Sequence, residues 1–166
     1  MLIQFRNWHK SSSIPSLLPY NTKVIKTSTQ MATRGRIGLQ LANGSILSVY
    51  SHWDNYPTFN GVKLVEHFNS FQKAAALIDG GDISSLWTNS DWDMNPLPEE
   101  GTLYYTDRGD KFVEPRLDTD LAEYLLPGIG EEYHYLFANG EWVCYNMNQF
   151  SNKLPEVVAI SVPAAV

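Results

Sequence analysis

Two Asn-Gly pairs, each placed between alternating apolar and polar runs, constrain the fold more than any other feature of this chain. Asn-Gly is favoured where both central residues of a two-residue hairpin loop need positive φ, and an alternating run is typical of a half-buried strand. Asn43-Gly44 separates residues 36–42 from 45–50, and Asn139-Gly140 separates 132–138 from 141–145. The sequence therefore predicts two β-hairpins that belong to one antiparallel sheet.

The length of each hairpin loop also predicts which residues face each other across the strands. In the first hairpin, a two-residue loop places Leu41 opposite Ile46. Ile46 then lies on the same, core-facing side of the sheet as Ile37. In the second hairpin, the same rule places Phe137 opposite Trp142.

Helical patterns occur in three stretches between the hairpins. Residues 62–68 have the i, i+3, i+4 apolar spacing of a short helix, and Ser70 can cap a second helix that Gly80-Gly81 ends. Residues 120–126 form a weaker third pattern, whereas 84–101 has no period and is predicted as a long ordered loop. Short helices on one face of an antiparallel sheet give an α+β domain.

Charge is distributed unevenly along the chain. Residues 1–30 carry four basic side chains and no carboxylate, a charge of +4, and since the whole chain has a net charge of −6 the remainder carries −10. A basic, acid-free stretch rich in Ser and Thr is typical of a targeting segment, and it equally suits a structured arm or a natural extension. We therefore predict an N-terminal extension or arm at 1–30 and a single α+β domain at 31–166.

Composition and motifs exclude several classes of protein. The acidic balance argues against direct nucleic-acid binding, which needs a basic stripe. No apolar run approaches the roughly 20 residues that span a bilayer, so we expect no membrane segment. Cys144 is the single cysteine, which allows no internal disulfide and indicates a reducing compartment. Without a metal-ligand spacing, phosphate loop or dinucleotide fingerprint, we expect no cofactor.

The densest polar and aromatic cluster is Tyr50-Ser51-His52-Trp53-Asp54-Asn55-Tyr56-Pro57, directly after the first hairpin. A loop between a strand and a helix is a common place for functional side chains. His52 and Asp54 are the catalytic candidates, because they can supply a base and its orienting partner, and with His67 they are the candidate metal ligands. The structural alternative is that the aromatic rings cover the sheet edge while the short polar side chains satisfy turn amides.

The same region carries a resemblance to a known family. Arg34-Gly35-Arg36-Ile37-Gly38-Leu39, Asn43-Gly44-Ser45-Ile46 and the segment from Tyr50 to Pro57 resemble a family of small uncharacterised bacteriophage proteins, cyanophage proteins among them, with a Tyr-x-His-Trp-Asp-x-Tyr-Pro segment. Asn55 stands where the family usually has glycine. The resemblance extends through the second hairpin and leaves out residues 1–30. It implies a phage origin and a location in the host cytoplasm, and it implies no catalytic residue.

Between Asp79 and Glu132 the chain has fourteen carboxylates against three basic residues. Carboxylates interleaved with aromatic rings favour a protein partner with a basic surface. We therefore predict a non-enzymatic binding factor acting on a host or viral protein, and the alternative is a small metal-dependent or acid–base hydrolase centred on His52 and Asp54. The sequence specifies no oligomeric state. The predicted binding residues are Tyr50, His52, Trp53, Asp54, Tyr56, Trp87, Asp91, Trp92 and Asp93.

Overall fold

The computed structural model describes residues 32–88 and 101–162, which form a mixed α+β unit around an eight-stranded, mostly antiparallel sheet. The strands are β1 (Arg34–Gln40), β2 (Ile46–Ser51), β3 (Ile83–Thr88), β4 (Gly101–Tyr104), β5 (Arg116–Asp118), β6 (Glu131–Ala138), β7 (Glu141–Asn146) and β8 (Glu156–Val158). The helices are α1 (Val62–His67), α2 (Phe71–Asp79) and α3 (Leu121–Tyr124), with a π-helical turn at Pro57–Gly61 and a 3-10 turn at Tyr105–Arg108. The predicted arm at 1–30 lies outside the described residues.

The strand order in the sheet is β4-β3-β2-β1-β6-β7-β8, and β5 pairs with β2. β1 and β2 form one antiparallel hairpin and β6 and β7 form the other, while β1 runs parallel to β6 and β2 runs parallel to β3. The hairpins therefore make up the middle of the sheet. β4 overlaps the short strand that the sequence predicts at residues 102–106, whereas β3, β5 and β8 were not predicted. β3 falls in the predicted loop, and the three residues each of β5 and β8 are too few to show a period.

The first hairpin is shifted by one residue from its predicted register. Ile46 pairs with Gln40 instead of Leu41. The Asn43 side chain accepts a hydrogen bond from the Ser45 backbone N–H at 3.0 Å, and only Gly44 of the Asn-Gly pair adopts positive φ, at 87°. The loop is therefore longer than the predicted two-residue turn. Since successive side chains of a strand point to opposite sides, the shift puts Ile46 on the side of the sheet opposite to the expected core.

The second hairpin has a two-residue turn in which Asn139 and Gly140 both have positive φ, at 53° and 84°. This is the geometry that the Asn-Gly pair favours. Phe137 lies opposite Trp142, as in the predicted register, and their ring centroids are 5.2 Å apart at an interplanar angle of 67°. Edge-to-face aromatic pairs of this kind stabilise the pairing of the two strands.

The main core lies on one side of the sheet, which we call the first side. Side chains from β1, β2, β3, β6 and β7 pack there against α1 and α2. The buried members are Ile37, Leu39, Val49, Leu64, Ala74, Leu77, Ile78, Ile83, Leu86, Tyr135, Phe137, Trp142 and Cys144. Burial of this apolar set is the principal source of stability.

The opposite, second side of the sheet is covered at one end by α3, so the prediction that the short helices share one face is wrong for this helix. Tyr124 of α3 is fully buried against Ile46 and Leu136, and its hydroxyl donates to the Tyr135 carbonyl at 2.7 Å. Gly38 leaves the space that the ring occupies, because a Cβ there would lie 3.0 Å from the Tyr124 ring. A four-residue helix with one aromatic anchor has no apolar periodicity from which its side could be predicted.

Candidate functional site

The backbone of the predicted segment, Tyr50 to Tyr56, is held against the sheet. Beyond the end of β2, His52 and Trp53 donate their backbone N–H groups to carbonyls of β3 at 3.0 and 3.1 Å. Asp54 then takes a positive φ of 59°, which turns the chain toward the π-helical turn. The segment is therefore an ordered extension of the sheet with half-buried side chains.

Two buried asparagines, Asn55 and Asn60, hold this segment in place through side-chain hydrogen bonds. The Asn55 side-chain NH₂ donates to the carbonyls of Thr33 and Ser51 at 2.9 Å, and Asn60 donates to the Asn55 side-chain oxygen at 3.0 Å. The hydroxyl of Tyr135 donates to the Asn55 carbonyl at 2.7 Å. Buried polar groups that are satisfied in this way make the local conformation specific.

His52 and Asp54, the catalytic candidates, are bonded to different tyrosines. The Tyr50 hydroxyl lies 2.7 Å from His52 Nδ1, and the Tyr56 hydroxyl donates to an Asp54 carboxylate oxygen at 2.6 Å. Burial raises the pKa of Tyr50 to about 12, and the bond to Asp54 raises the pKa of Tyr56 to about 12, so both phenols keep their protons near neutral pH. Within the described part of the chain, His52 and Asp54 form no hydrogen bond or ion pair with each other, as a base and its orienting carboxylate would.

The other predicted ligand and binding residues occupy separate places. His67 stacks on Trp87 with ring centroids 3.9 Å apart and planes at 6°, and Lys63 Nζ lies 5.9 Å from the Trp87 ring centre. Within 32–88 and 101–162, no three His, Cys, Asp or Glu side chains are grouped so that they could hold a metal ion. Three of the predicted binding residues lie outside the described parts of the chain, namely Asp91, Trp92 and Asp93.

Two arginines distant in sequence act on His52, which sequence reasoning did not foresee. Burial lowers the pKa of His52, and the charges of Arg34 and Arg108 lower it further. The Arg108 guanidinium lies 5.7 Å from the centre of the Tyr105 ring, which in turn lies edge-on to the His52 ring at 6.4 Å. These residues come from three distant parts of the chain, so no local motif could reveal the cluster.

A cavity of about 420 Å³ opens between α1 and strands β7 and β8, and none of the predicted site residues lines it. Most of its lining is apolar, with Val65, Trp142 and Ile160 among the side chains. Cys144 also faces it, and burial raises the pKa of this thiol to about 12. A buried thiol with a raised pKa is a poor nucleophile, so the cavity has no activated group.

Two loops carry exposed apolar side chains that the sequence analysis missed. Ile129 is 96 % exposed, Leu154 85 %, Phe150 78 % and Leu126 61 %. We call these four side chains the tip surface. These residues lie in turns that have no apolar periodicity. The only feature of the sequence that could have indicated them is a large apolar residue, Ile129, between two glycines.

Side-chain hydrogen bonds order both loops of the tip surface. Gln149 donates to the Gly128 carbonyl at 2.6 Å and so joins the two loops. Asn148 donates to the Leu154 carbonyl at 2.7 Å and closes the second loop on itself. The exposed apolar side chains are thus presented on backbone that is tied in place.

Carboxylates of α3 directly precede the tip surface in the chain. Asp120 caps the helix by accepting the Glu123 N–H at 2.8 Å, and Glu123 accepts from the N–H and hydroxyl of Thr119 at 2.6 and 2.8 Å. The bond from the Thr119 N–H, followed by that from its hydroxyl, lowers the pKa of Glu123. Both carboxylates are exposed, so this end of the protein combines apolar and negative groups.

Comparison with protein-family models, with curated proteins and with solved structures finds no match to this chain. Among the described residues, no helix has the length and apolar character needed to cross a membrane.

Proposed function

We propose that this protein is a non-enzymatic binding factor that acts on a host or viral protein, in the phage and host-cytoplasm setting implied by the sequence resemblance. The tip surface is the observation that supports this proposal. Large apolar side chains that stay exposed on two loops joined by a hydrogen bond suit a protein interaction site. Ile129 and Leu154 are exposed to water, so their side chains add no burial free energy to the fold. Contact with a partner protein would bury them and supply that free energy.

The partner is a protein whose contact surface has an apolar centre and basic residues around it. Asp120 and Glu123 lie on α3 beside the chain entering the tip surface, and residues 31–166 carry a net charge of −10. A negative field attracts a basic surface and raises the rate of association, while apolar side chains supply contact area. This chemistry agrees with the basic partner predicted from composition.

The hydrolase alternative has less support from the geometry. A base needs an orienting carboxylate, and the hydrogen bonds of His52 and Asp54 go to Tyr50 and Tyr56 instead. The segment from Tyr50 to Tyr56 can add aromatic contact area to a binding surface without any catalytic step.

Affinity capture from lysate of infected host cells tests the proposal, with mass spectrometry to quantify what is retained. We expect a protein retained by the natural chain to be lost with Ile129→Ser or Phe150→Ser. Phe71→Ser is the matched control, because Phe71 is also exposed, at 48 %, but lies on α2. Retention should fall with added salt and with Asp120→Asn combined with Glu123→Gln.

Three results would contradict the proposal: no protein retained by the natural chain, equal retention by all variants, or loss with Phe71→Ser as well. His52→Gln combined with Asp54→Asn separates the two functions. Under the binding proposal this variant still retains the partner through the tip surface.

A further inference from the structure

We propose that residues 141–143, at the start of β7, form a binding site for an extended peptide segment that has two apolar residues followed by a basic one. The bound segment would add a strand to the sheet along the outer edge of β7. This site shares no residue with the tip surface, and it does not depend on the partner proposed for that surface.

The outer edge of β7 is only half covered by β8. β8 pairs with residues 144–146 of β7, and the pairing stops where Cys144 lies opposite Val158. If the pairing continued in the same register, Ile160 would lie opposite Trp142. Ile160 instead packs against the core on the first side of the sheet. Among the described residues, no strand therefore pairs with the outer side of the first three residues of β7.

The backbone of Trp142 turns its hydrogen-bonding groups toward this open edge. The two-residue turn makes Ala138 and Glu141 a hydrogen-bonded pair, and such pairs alternate along an antiparallel ladder. Phe137 and Trp142 are therefore a pair without backbone hydrogen bonds, and the N–H and C=O of Trp142 face away from β6. Neither group has a backbone partner in the described parts of the chain. A strand edge of this kind is a template for a further strand.

The cavity of about 420 Å³ lies along the same edge, and residues 140–144 all line it. Side chains of an added strand point to alternate sides of the sheet, as those of β7 do. The peptide residue opposite Trp142 therefore points to the first side, on which the Trp142 side chain lies. Val65 and Ile160 line the cavity and pack against the core on that side. An apolar side chain suits this position of the peptide.

The charge of the cavity determines the basic position of the peptide. Glu141 lines the cavity and is exposed, and none of the described lining residues is Lys, Arg or His. A basic side chain opposite Glu141 would form a favourable cross-strand pair with it. Val143 points to the same side of the sheet as Glu141, and the residue opposite Val143 is best apolar. An antiparallel strand meets Val143 first, so the pattern along the peptide is apolar, apolar, basic.

Titration of the ¹⁵N-labelled full chain with a synthetic peptide tests this site by NMR. The probe is acetyl-Thr-Val-Val-Lys-Thr-amide, which carries the proposed pattern. We expect a saturable shift of the Trp142 backbone amide signal, while the signal of Leu39, buried in β1, stays unchanged. N-methylation of the second valine removes the peptide donor that faces the Trp142 carbonyl. It should raise the dissociation constant about tenfold or more.

Matched variants of the chain test whether the peptide occupies the cavity. Ala159→Phe fills the cavity from the exposed segment after β8 and should abolish the saturable shift. Ser161→Phe lies on the same exposed segment, outside the cavity lining, and should leave the dissociation constant unchanged. Glu141→Lys should weaken binding of the probe and favour a peptide with Glu in place of Lys, because the cross-strand charges are reversed. Unchanged amide signals away from β7 report that each variant is folded.

Any of four results would overturn the site. The first is no saturable shift with the probe. The second is equal binding of the N-methylated peptide, which would show that the cavity takes apolar groups without strand pairing, as it would a small apolar molecule. The third is a Trp142 shift that follows protein concentration without peptide, which would assign the edge to a second copy of the chain. The fourth is an equal effect of Ala159→Phe and Ser161→Phe.

Discussion

Replacing Glu131 with glutamine removes the carboxylate at the centre of a buried polar network on the second side of the sheet. One Glu131 oxygen accepts from Arg36 Nη1 at 3.2 Å, and the other lies 2.9 Å from His134 Nε2. The second ring nitrogen of His134 lies 3.1 Å from the Tyr124 carbonyl, which ties α3 to the network. Glu131→Gln keeps the shape of the side chain, removes its charge and turns one acceptor oxygen into an NH₂ donor.

The expected cost follows from leaving Arg36 without its countercharge. Removing one partner of a buried ion pair costs about 3–5 kcal/mol. The glutamine oxygen still accepts one hydrogen bond, worth about 1 kcal/mol, so we expect a loss of about 2–4 kcal/mol at pH 7. A domain of this size has about 5–15 kcal/mol of stability, and the loss will therefore be plain in an unfolding curve.

The cost should also depend on pH, with a sign set by the pKa of Glu131. Burial alone would raise this pKa, but the hydrogen bond from His134 and the charge of Arg36 outweigh burial and lower it below 4.5. A carboxyl with a lowered pKa in the folded state stabilises the fold above its unfolded pKa. That stability is lost as the pH falls through the folded value.

Urea unfolding followed by tryptophan fluorescence, at pH 7 and at steps from pH 5 to pH 3, measures both effects. Glu141→Gln is the control, because Glu141 is exposed at the start of β7. The difference between the natural chain and Glu131→Gln should shrink as the pH falls below 4.5. A loss at pH 7 no larger than that of Glu141→Gln, or a difference that stays constant into acid, would refute the reasoning.

Three further predictions concern single residues. Asn55→Ala should cost about 2–3 kcal/mol in urea unfolding, since it removes the buried side-chain hydrogen bonds to the Thr33 and Ser51 carbonyls and from Asn60, and exposed Asn69→Ala should cost far less. Cys144 should react with a thiol reagent at pH 8 only as fast as the chain unfolds, because the thiol is buried with a pKa of about 12; rapid reaction in the native state would contradict this. Gly140→Ala should cost about 1–2 kcal/mol, although nothing lies near the added Cβ, because φ is positive there, and an unchanged unfolding midpoint would count against the turn geometry.

The two Asn-Gly pairs show what a sequence motif can and cannot determine. Asn139 and Gly140 both adopt the positive φ that the motif favours, and the register across that hairpin follows. Asn43 instead forms a side-chain hydrogen bond to the N–H of Ser45, and the loop lengthens by one residue. Both hairpins contain the same dipeptide. Whether the loop has two residues or one more therefore depends on the residue that follows and on packing across the whole sheet.

The candidate site was predictable as a segment but not as a set of contacts. The sequence places the stretch from Tyr50 to Tyr56 between the first hairpin and the first helix, and in the structure it lies between β2 and α1. Adjacency in sequence suggested a pair between His52 and Asp54, whereas in the structure each bonds to the tyrosine two residues away. The positive φ of Asp54 breaks the extended chain between the two candidates, so His52 bonds to Tyr50 before the turn and Asp54 bonds to Tyr56 after it.

The distribution of arginine shows why net charge alone is a poor guide to what this protein binds. The four arginines of residues 31–166 all lie on the second side of the sheet, although that part of the chain is strongly acidic. Arg36 and Arg116 pair there with Glu131 and Asp118. Strand pairing between distant segments creates this separation of charge. The net charge summed along the sequence does not show it. One acidic chain can therefore present exposed carboxylates at α3 and a separate group of arginines on the second side of the sheet.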